Sequence, residues 1–329
     1  MSRDDQPEKN PGRRIFVILN PEAGRGRARK LWPRISQTLR AAMNPADLQV
    51  VETQAPGEAV DLARWAVEKG YDIVAACGGD GTLHETVNGL ARAGAAAGPG
   101  ALMLLPAGTG NDFARSLGLP LDPIRVAQAM ARSRTVNVDL GRAGNSYFVN
   151  VAGVGFDAEV AAEVNRGGKI VGGTLPYLWA VMKKLVTYRN APLEIHLNQQ
   201  VLRRRALLVA VGIASYYGGG LRILPGADLL DGRLDIIVGG DLGKLATLGL
   251  LPRLFSGSHV HHPLVELDRA AQVRIEGPDH LHVHADGEVI GRLPVEFACI
   301  PEGLRLILPE TASLSLSRQQ DALRRPPGA

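Results

Sequence analysis

The chain has 329 residues and a net charge of +4, with 45% hydrophobic and 21% charged residues. This composition is typical of a soluble globular protein, and the length favours two domains. Aromatic residues make up only 5% and do not alternate with basic ones, which argues against a nucleic-acid partner. No apolar run approaches the roughly 20 residues of a membrane span, and the polar N-terminus lacks a signal sequence. We therefore expect a cytoplasmic protein.

The N-terminal part alternates short apolar runs with amphipathic segments. Strands are predicted at 14–19, 48–53, 71–76 and 102–105, with helices in the intervals. This alternation indicates a parallel sheet that is covered on both faces. Three of the strands end in loops that combine Gly or Pro with Asn, Asp or Thr. Because ligands bind beyond the carboxyl ends of strands in open α/β sheets, we expect these loops to form one site.

The loop after the third strand is the most informative. It reads Gly78-Gly79-Asp80-Gly81-Thr82, and the helix predicted after it starts at Leu83. Glycines let the backbone approach a ligand closely, and the N–H groups at a helix start attract phosphate. The carboxylate of Asp80 needs a cation or a hydroxyl as its partner there, which indicates a metal-bound nucleotide. The alternative is an ordinary strand-to-helix turn.

The pattern changes near residue 136. From there to about residue 308, short strands separated by turn residues predominate, with helices predicted at about 175–188 and 242–255. This pattern predicts an antiparallel β-sandwich domain over 136–304. The polar ends, 1–12 and 319–329, are expected to be disordered.

Several loops together resemble one family. They are Asn20-Pro21-Glu22-Ala23-Gly24, the Asp80 loop, Pro106-Ala107-Gly108-Thr109-Gly110-Asn111-Asp112-Phe113-Ala114-Arg115, Tyr217-Gly218-Gly219-Gly220, the segment 225–235 and Asp286-Gly287-Glu288. In order and spacing they resemble the diacylglycerol kinase catalytic domain of soluble bacterial lipid kinases, which are related to sphingosine and ceramide kinases. The resemblance implies an N-terminal domain, 13–135, with the Rossmann-like α/β fold of NAD kinases and phosphofructokinases. It also implies that a last strand, at about 304–308, returns to that domain, which would then include about 305–318.

The resemblance implies an ATP-dependent kinase that transfers the γ-phosphate to a lipid hydroxyl, converting diacylglycerol to phosphatidic acid or acting on a related lipid. ATP and Mg²⁺ would be its cofactors, with Asp80 as the partner of the catalytic ion. Position 84 is more often Asn in the family, so His84 bears on nucleotide preference. Local alternatives are a strand end at Thr53 and a helix N-cap at Asn111 and Asp112. The implied nucleotide-binding residues are Asn20, Pro21, Gly24, Thr53, Gly78, Gly79, Asp80, Gly81, Thr82, Leu83, His84, Thr109, Asn111 and Asp112.

Phosphoryl transfer also requires a base for the acceptor hydroxyl. By resemblance the base is Glu288 or Asp286, and we favour Glu288, although the sequence leaves open which carboxylate points into the cleft. Without the resemblance, the segment is an ordinary hairpin turn.

A second acidic turn follows residue 227. The resemblance implies a structural Mg²⁺ held by the Asp231 carboxylate and by the backbone carbonyls of Asp228 and Arg233, with Asp139 linked to it. The alternative is a hairpin turn. In the strand before Glu288, His280, His282 and His284 alternate on one face, which is poorly arranged for zinc, so we expect a polar strand face.

Other interpretations stay open at this point. A helix at about 175–185, with Trp179, Met182, Lys183 and Lys184, is a candidate for peripheral membrane contact or a buried amphipathic helix. A homodimer is possible. The other candidate functions are a kinase of a soluble acceptor such as NAD and a non-catalytic nucleotide sensor. A sensor has no use for a base, so the acids of the 286–288 turn favour catalysis.

Overall fold

The computed structural model of the protein describes residues 12–95, 98–166 and 174–312. The disorder predicted for the two ends lies outside these ranges, apart from Gly12, as do residues 313–318 of the predicted N-terminal domain.

The N-terminal elements alternate as the sequence predicts. The strands pair in the order β2-β1-β3-β4, and every pair is parallel. β3 and β4 are buried along their whole length, as expected for a sheet with helices on both faces. The predicted α/β fold is therefore confirmed. The elements are β1 (Arg14–Leu19), α1 (Ala23–Met43), β2 (Asp47–Glu52), α2 (Glu58–Glu68), β3 (Ile73–Gly78), α3 (Asp80–Arg92), β4 (Ala101–Pro106), α4 (Asp112–Ser116) and α5 (Pro123–Ala129).

The remaining elements are mostly antiparallel strands. They are β5 (Ser133–Ala143), β6 (Ser146–Phe148), β7 (Val151–Gly155), α6 (Phe156–Arg166), α7 (Thr174–Thr187), β8 (Ala191–Leu197), β9 (Gln200–Ala206), β10 (Leu208–Gly212), β11 (Leu234–Gly239), α8 (Lys244–Ser256), a 3-10 helix (Ser258–His261), β12 (Val265–Ala270), β13 (Gln272–Glu276), β14 (His282–Ala285), β15 (Glu288–Arg292) and β16 (Val295–Pro309).

These strands form two layers. One is a six-stranded antiparallel sheet in the order β12-β11-β10-β7-β14-β15, and the other, β16-β13-β8-β9, continues directly from β4. The link is β16, where Leu306 pairs in parallel with Leu102 of β4 while other residues pair antiparallel with β5 and β13. The predicted antiparallel β-sandwich is confirmed.

One apolar core runs through both halves, whereas α6, α7 and α8 pack around a smaller one that includes Phe156, Val181 and Leu250. Between residues 136 and 190 the sequence predicts one helix, but the structure has two, α6 and α7. Because α6 starts directly after β7, its helical spacing merges with the strand pattern in the sequence. In the described ranges, no helix is both long and apolar enough to cross a membrane.

Candidate active site

The loops after β1, β3 and β4 interlock at one edge of the parallel sheet. Asn20 donates a hydrogen bond from Nδ2 to Thr82 Oγ1 (3.0 Å), and the backbone N–H of Gly108 donates to the carbonyl of Gly78 (3.0 Å). A Cβ on Gly108 would lie 2.4 Å from the Cα of Gly79, so only glycine permits this approach. The structure thus brings the three predicted nucleotide loops together.

Asp80 holds the loop between β4 and α4. Its Oδ2 and Oδ1 accept hydrogen bonds from the backbone N–H groups of Asn111 and Asp112, both at 2.8 Å. Asn111 lies in the left-handed region, with φ of +56°, and its side-chain amide bonds both backbone groups of Gly108. The side chain of Asn111 therefore stabilises this loop and does not cap α4.

Asp112 connects the two halves of the protein. It is buried, and its Oδ2 accepts a hydrogen bond from the backbone N–H of Gly219 at 2.8 Å. Burial raises the pKa of Asp112 to about 7, and the negative charge of Asp80 adds to the shift. Burial also raises the pKa of Asp80, against its hydrogen bonds from Asp112 and Asn111 and with a contribution from Asp286. A divalent cation would stabilise carboxylates that disfavour each other's charge in this way.

The two acids of the β14–β15 hairpin differ in their surroundings. Asp286 has a side chain only 1% exposed, and it accepts hydrogen bonds from the backbone N–H groups of Val149 (3.0 Å) and Asn150 (2.9 Å). Glu288 is half-buried, and its Oε1 lies 3.5 Å from the position that a Cβ on Gly81 would occupy. The carboxylate of Asp286 therefore binds backbone N–H groups, whereas Glu288 lies beside the Asp80 loop.

His84 lies between α3 and this hairpin. Its Nδ1 is 3.4 Å from Oδ2 of Asp286, and its Nε2 is 3.4 Å from Nδ2 of Asn88. The side-chain amide of Asn88 in turn bonds both backbone groups of Tyr147. These contacts connect His84 to the second half of the protein, and its effect on nucleotide preference stays a prediction.

The remaining predicted nucleotide residues border the same edge of the sheet. Gly24 has φ of +60°, and a Cβ there would lie 2.3 Å from the carbonyl oxygen of Ala107. Thr53 follows β2, where its backbone N–H donates to the carbonyl of Leu19, and Thr109 is exposed in the loop before α4. Pro21 and Leu83 are buried, and contact of this group with a nucleotide stays a prediction.

The acidic turn after residue 227 is paired with a positively charged side chain, that of Arg269. The carboxylates of Asp228 and Asp231 each accept a backbone hydrogen bond at 3.0 Å, from Leu230 and Arg233, and so close local turns. The guanidinium of Arg269 lies 3.6 Å from Oδ2 of Asp231. It also pairs with Oδ1 of Asp235 at 2.8 Å.

The carboxylate of Asp139 accepts one hydrogen bond from the backbone N–H of Gly232 in the same turn, at 2.7 Å, and another from that of Glu302 in β16, at 3.0 Å. Within the part of the chain that the structure describes, no group of three or more His, Cys, Asp or Glu side chains could hold a metal ion. The carboxylates at this turn are thus engaged with backbone N–H groups and with Arg269. A structural Mg²⁺ at Asp228, Asp231 and Arg233 stays a prediction.

An apolar cavity of about 160 Å³ lies between the six-stranded sheet and helices α6, α7 and α8. Side chains such as Val160, Val181 and Leu250 line it. Its rim includes Tyr217 and Gly219, and the N–H of Gly219 is the group that Asp112 binds. The carboxylate site and the apolar cavity therefore share a wall.

The sequence analysis missed the acids that lie between this cavity and the hairpin. On α6, Asp157 pairs with His284 and Glu159 pairs with His282. The two histidines do share one face of β14, but α6 covers that face and supplies one acid to each. Asp157 and Glu159 are two residues apart in the sequence, as are His282 and His284. This match could be used to predict the pairs only if α6 were recognised first.

Comparison with known proteins identifies the family. Residues 14–143 match the diacylglycerol kinase catalytic domain, and residues 150–308 match the YegS C-terminal NAD kinase beta sandwich-like domain. A protein named diacylglycerol kinase from Staphylococcus carnosus is 30% identical over 310 residues, which cover 94% of this chain and 99% of that protein. The chain belongs to the diacylglycerol kinase family.

Other members of the diacylglycerol kinase family are similar over nearly the whole chain. A relative from Staphylococcus haemolyticus with the same name is 31% identical over 297 residues, covering 89% of this chain and 88% of that protein. A crystal structure of a diacylglycerol kinase from Bacillus anthracis superposes with a TM-score of 0.72 at 26% identity, covering 93% and 100% of the two chains. The family predicted from the loops is confirmed, and the chain is a transferase of the kinase class.

Proposed function

We propose that the protein is a lipid kinase that transfers the γ-phosphoryl group of ATP to diacylglycerol and forms phosphatidic acid. The observation that carries the proposal is the shared wall, in which Gly219 borders the apolar cavity and donates its N–H to Asp112. An acceptor with an apolar body in the cavity would present its polar end to the carboxylates. The names of the relatives from Staphylococcus carnosus and Bacillus anthracis support the same acceptor.

The interlocked loops supply the nucleotide side of the proposed reaction. Gly79 and Gly108 bring two loops together without intervening side chains, and α3 begins beside them at Asp80. A helix start of this kind suits a triphosphate. Mg²⁺ prefers carboxylate oxygens together with phosphates, and Asp80 and Asp112 offer such oxygens. The bound ion would neutralise the charge on the transferred group.

Glu288 is the proposed base. As the acceptor oxygen attacks the γ-phosphorus and the bond to ADP breaks, the hydroxyl proton passes to a carboxylate. Both oxygens of Asp286 already accept backbone hydrogen bonds, so Asp286 is suited to holding the hairpin. Glu288 lies beside Gly81 at the start of α3, where the phosphates are proposed to bind.

The outer faces of α7 and α8 suit contact with the membrane that contains the acceptor. Trp179 is 72% exposed and Leu245 is 86% exposed, although both lie on helices that wall the cavity. Lys244 donates a hydrogen bond to the carbonyl of Val186, which joins the start of α8 to the end of α7. Lys184 is paired with Glu159, so this peripheral contact would rest mainly on apolar side chains.

Transfer of labelled γ-phosphate to a panel of acceptors tests the proposal. The panel contains diacylglycerol, monoacylglycerol, sphingosine and ceramide in micelles, together with NAD in solution. We expect label on diacylglycerol and a loss of about 10²-fold or more in Glu288→Gln. The matched control, Glu296→Gln, removes an exposed acid of β16 that pairs with Arg274, and it is expected to keep the wild-type rate.

The alternatives predict different products. Label on NAD alone would replace the lipid by a soluble acceptor, and the apolar cavity would then have no role in the reaction. Binding of ATP without transfer to any acceptor would favour the nucleotide sensor.

A further inference from the structure

Two buried side chains separate the apolar cavity from the hairpin that carries Glu288. Asp157, in the first turn of α6, lines the cavity. Its Oδ2 lies 3.1 Å from Nε2 of His284 on β14, and the two side chains are 3% and 2% exposed. At the cavity rim, the ring of Tyr217 stacks on His284 with the ring centroids 6.5 Å apart. Asp157 and Tyr217, which both line the cavity, therefore both contact His284.

The other ring nitrogen of His284 contacts the hairpin. The backbone N–H of Gly287 donates a hydrogen bond to Nδ1 at 3.3 Å. A nitrogen that accepts a hydrogen bond must carry a lone pair, so Nδ1 is unprotonated and the proton of the neutral ring lies on Nε2. Nε2–H then donates to Asp157. These partners assign a single tautomer.

The hairpin has a shape that neighbouring groups must hold. Asp286 and Gly287 form a two-residue turn with φ of +50° and +87°, and Ala285 pairs with Glu288 across it. Left-handed backbone at a non-glycine residue is unfavourable, so it persists where the surroundings fix it. Backbone N–H groups bind the carboxylate of Asp286, and the ring of His284 binds the N–H of Gly287. The direction of Glu288, the next residue, depends on both contacts.

We propose that His284 is a positioning residue for Glu288 and that Asp157 sets the tautomer of His284 from the cavity side. This inference rests on the proposed function, in which Glu288 is the base. The wall that receives the acceptor and the turn that carries the base are then joined by one chain of contacts, from Asp157 through His284 to Gly287.

Two substitutions separate the two contacts of the ring. His284→Asn keeps an acceptor near the position of Nδ1, whereas His284→Gln keeps a donor near the position of Nε2. A displacement of 1 Å can cost about 10²-fold in rate, so kcat of His284→Gln is expected to fall about tenfold or more below that of His284→Asn. Both variants remove the ring on which Tyr217 stacks, so any change in KM for diacylglycerol is expected to be the same in both. His280→Gln, at an exposed position just before β14, is the control.

Equal losses of kcat in the two His284 variants, or a loss confined to KM, would overturn the proposal. The tautomer is measured independently of activity, from the nitrogen NMR chemical shifts of the His284 ring. We expect a proton on Nε2 and a lone pair on Nδ1, and a change in both shifts in Asp157→Asn. The opposite tautomer, or a doubly protonated ring, would also overturn the proposal. If the wild type shows the expected tautomer but phosphorylates no acceptor, the proposed function fails and the positioning contact stands.

Discussion

The protein contains two acidic clusters whose negative charge is compensated in different ways. In the turn after residue 227, the guanidinium of Arg269 pairs with Asp231 and Asp235. At the edge of the parallel sheet, Asp80 and Asp112 accept backbone hydrogen bonds, and burial raises the pKa of both. The negative charge of Asp286 adds to the shift of Asp80, and that of Asp80 adds to the shift of Asp112. A cluster that is neutralised internally serves structure, whereas one whose carboxylates resist ionisation is suited to a ligand that brings a cation.

The largest effect on activity is expected from Asp80→Ala. The substitution removes the carboxylate that holds Asn111 and Asp112 and that would face the metal-bound nucleotide. We expect kcat for phosphoryl transfer to fall by about 10³-fold. Steady-state kinetics and calorimetric titration with the nucleotide measure the two effects separately. A variant that keeps kcat would contradict this role of Asp80, whereas a wild type that transfers no phosphate and a variant that loses only nucleotide affinity would support the sensor instead.

The other cluster is tested by Arg269→Met, which leaves Asp231 and Asp235 without their guanidinium. Breaking a partly buried charge network by removing one partner is expected to lower the free energy of unfolding by on the order of 3 kcal/mol. Urea denaturation with and without Mg²⁺ measures the change. Added Mg²⁺ is expected to restore part of the stability of the variant and to have little effect on the wild type.

Arg274→Met is the matched control for this substitution. Arg274 forms exposed pairs with Glu276 and Glu296, so its loss is expected to cost less than about 1 kcal/mol. If Mg²⁺ raises the free energy of unfolding of the wild type as much as that of the Arg269 variant, a structural ion binds beside the guanidinium. The two acidic clusters would then no longer differ in how their charge is compensated.

A smaller effect, on the pH dependence of stability, is expected from Asp112→Asn. With its pKa raised to about 7, the carboxyl of Asp112 holds a proton in the folded state that the unfolded chain releases above about pH 4. The contribution of the Asp112 carboxyl to the free energy of unfolding of the wild type therefore decreases as the pH rises from about 4 to about 7. The Asn side chain can still accept the hydrogen bond from Gly219.

Urea denaturation of the nucleotide-free protein over this pH range measures the effect. We expect the Asn variant to exceed the wild type by about 2 kcal/mol at pH 8 and to match it near pH 4. A difference between the two proteins that is the same at every pH would contradict the raised pKa.

The convergence of the three loops after β1, β3 and β4 could be predicted because its signals are local. Glycines and one acid follow a buried strand at Gly78 to Thr82, and the topology of a parallel sheet brings such loops to one edge. The roles inside the site were harder to predict, because they depend on partners far along the chain. Asp80, for example, holds the loop at Asn111 through contacts that no local pattern encodes.

The features missed in the second half share one physical cause. Arg269 meets Asp235 because β11 and β12 pair those two residues in register, and register follows from the whole sheet. His284 acquires its partner only because α6 lies across β14 and brings Asp157 to it. The apolar cavity likewise arises from how three helices pack on a sheet, which periodicity along one segment does not specify.

The most direct test of the central claim is a competition between two acceptors in one reaction. Diacylglycerol in mixed micelles and NAD in solution are supplied together with labelled ATP and Mg²⁺, and the labelled products are separated. The lipid-kinase account predicts label on phosphatidic acid and its loss in Glu288→Gln. Label on the NAD product, or on neither product while ATP still binds, would contradict it.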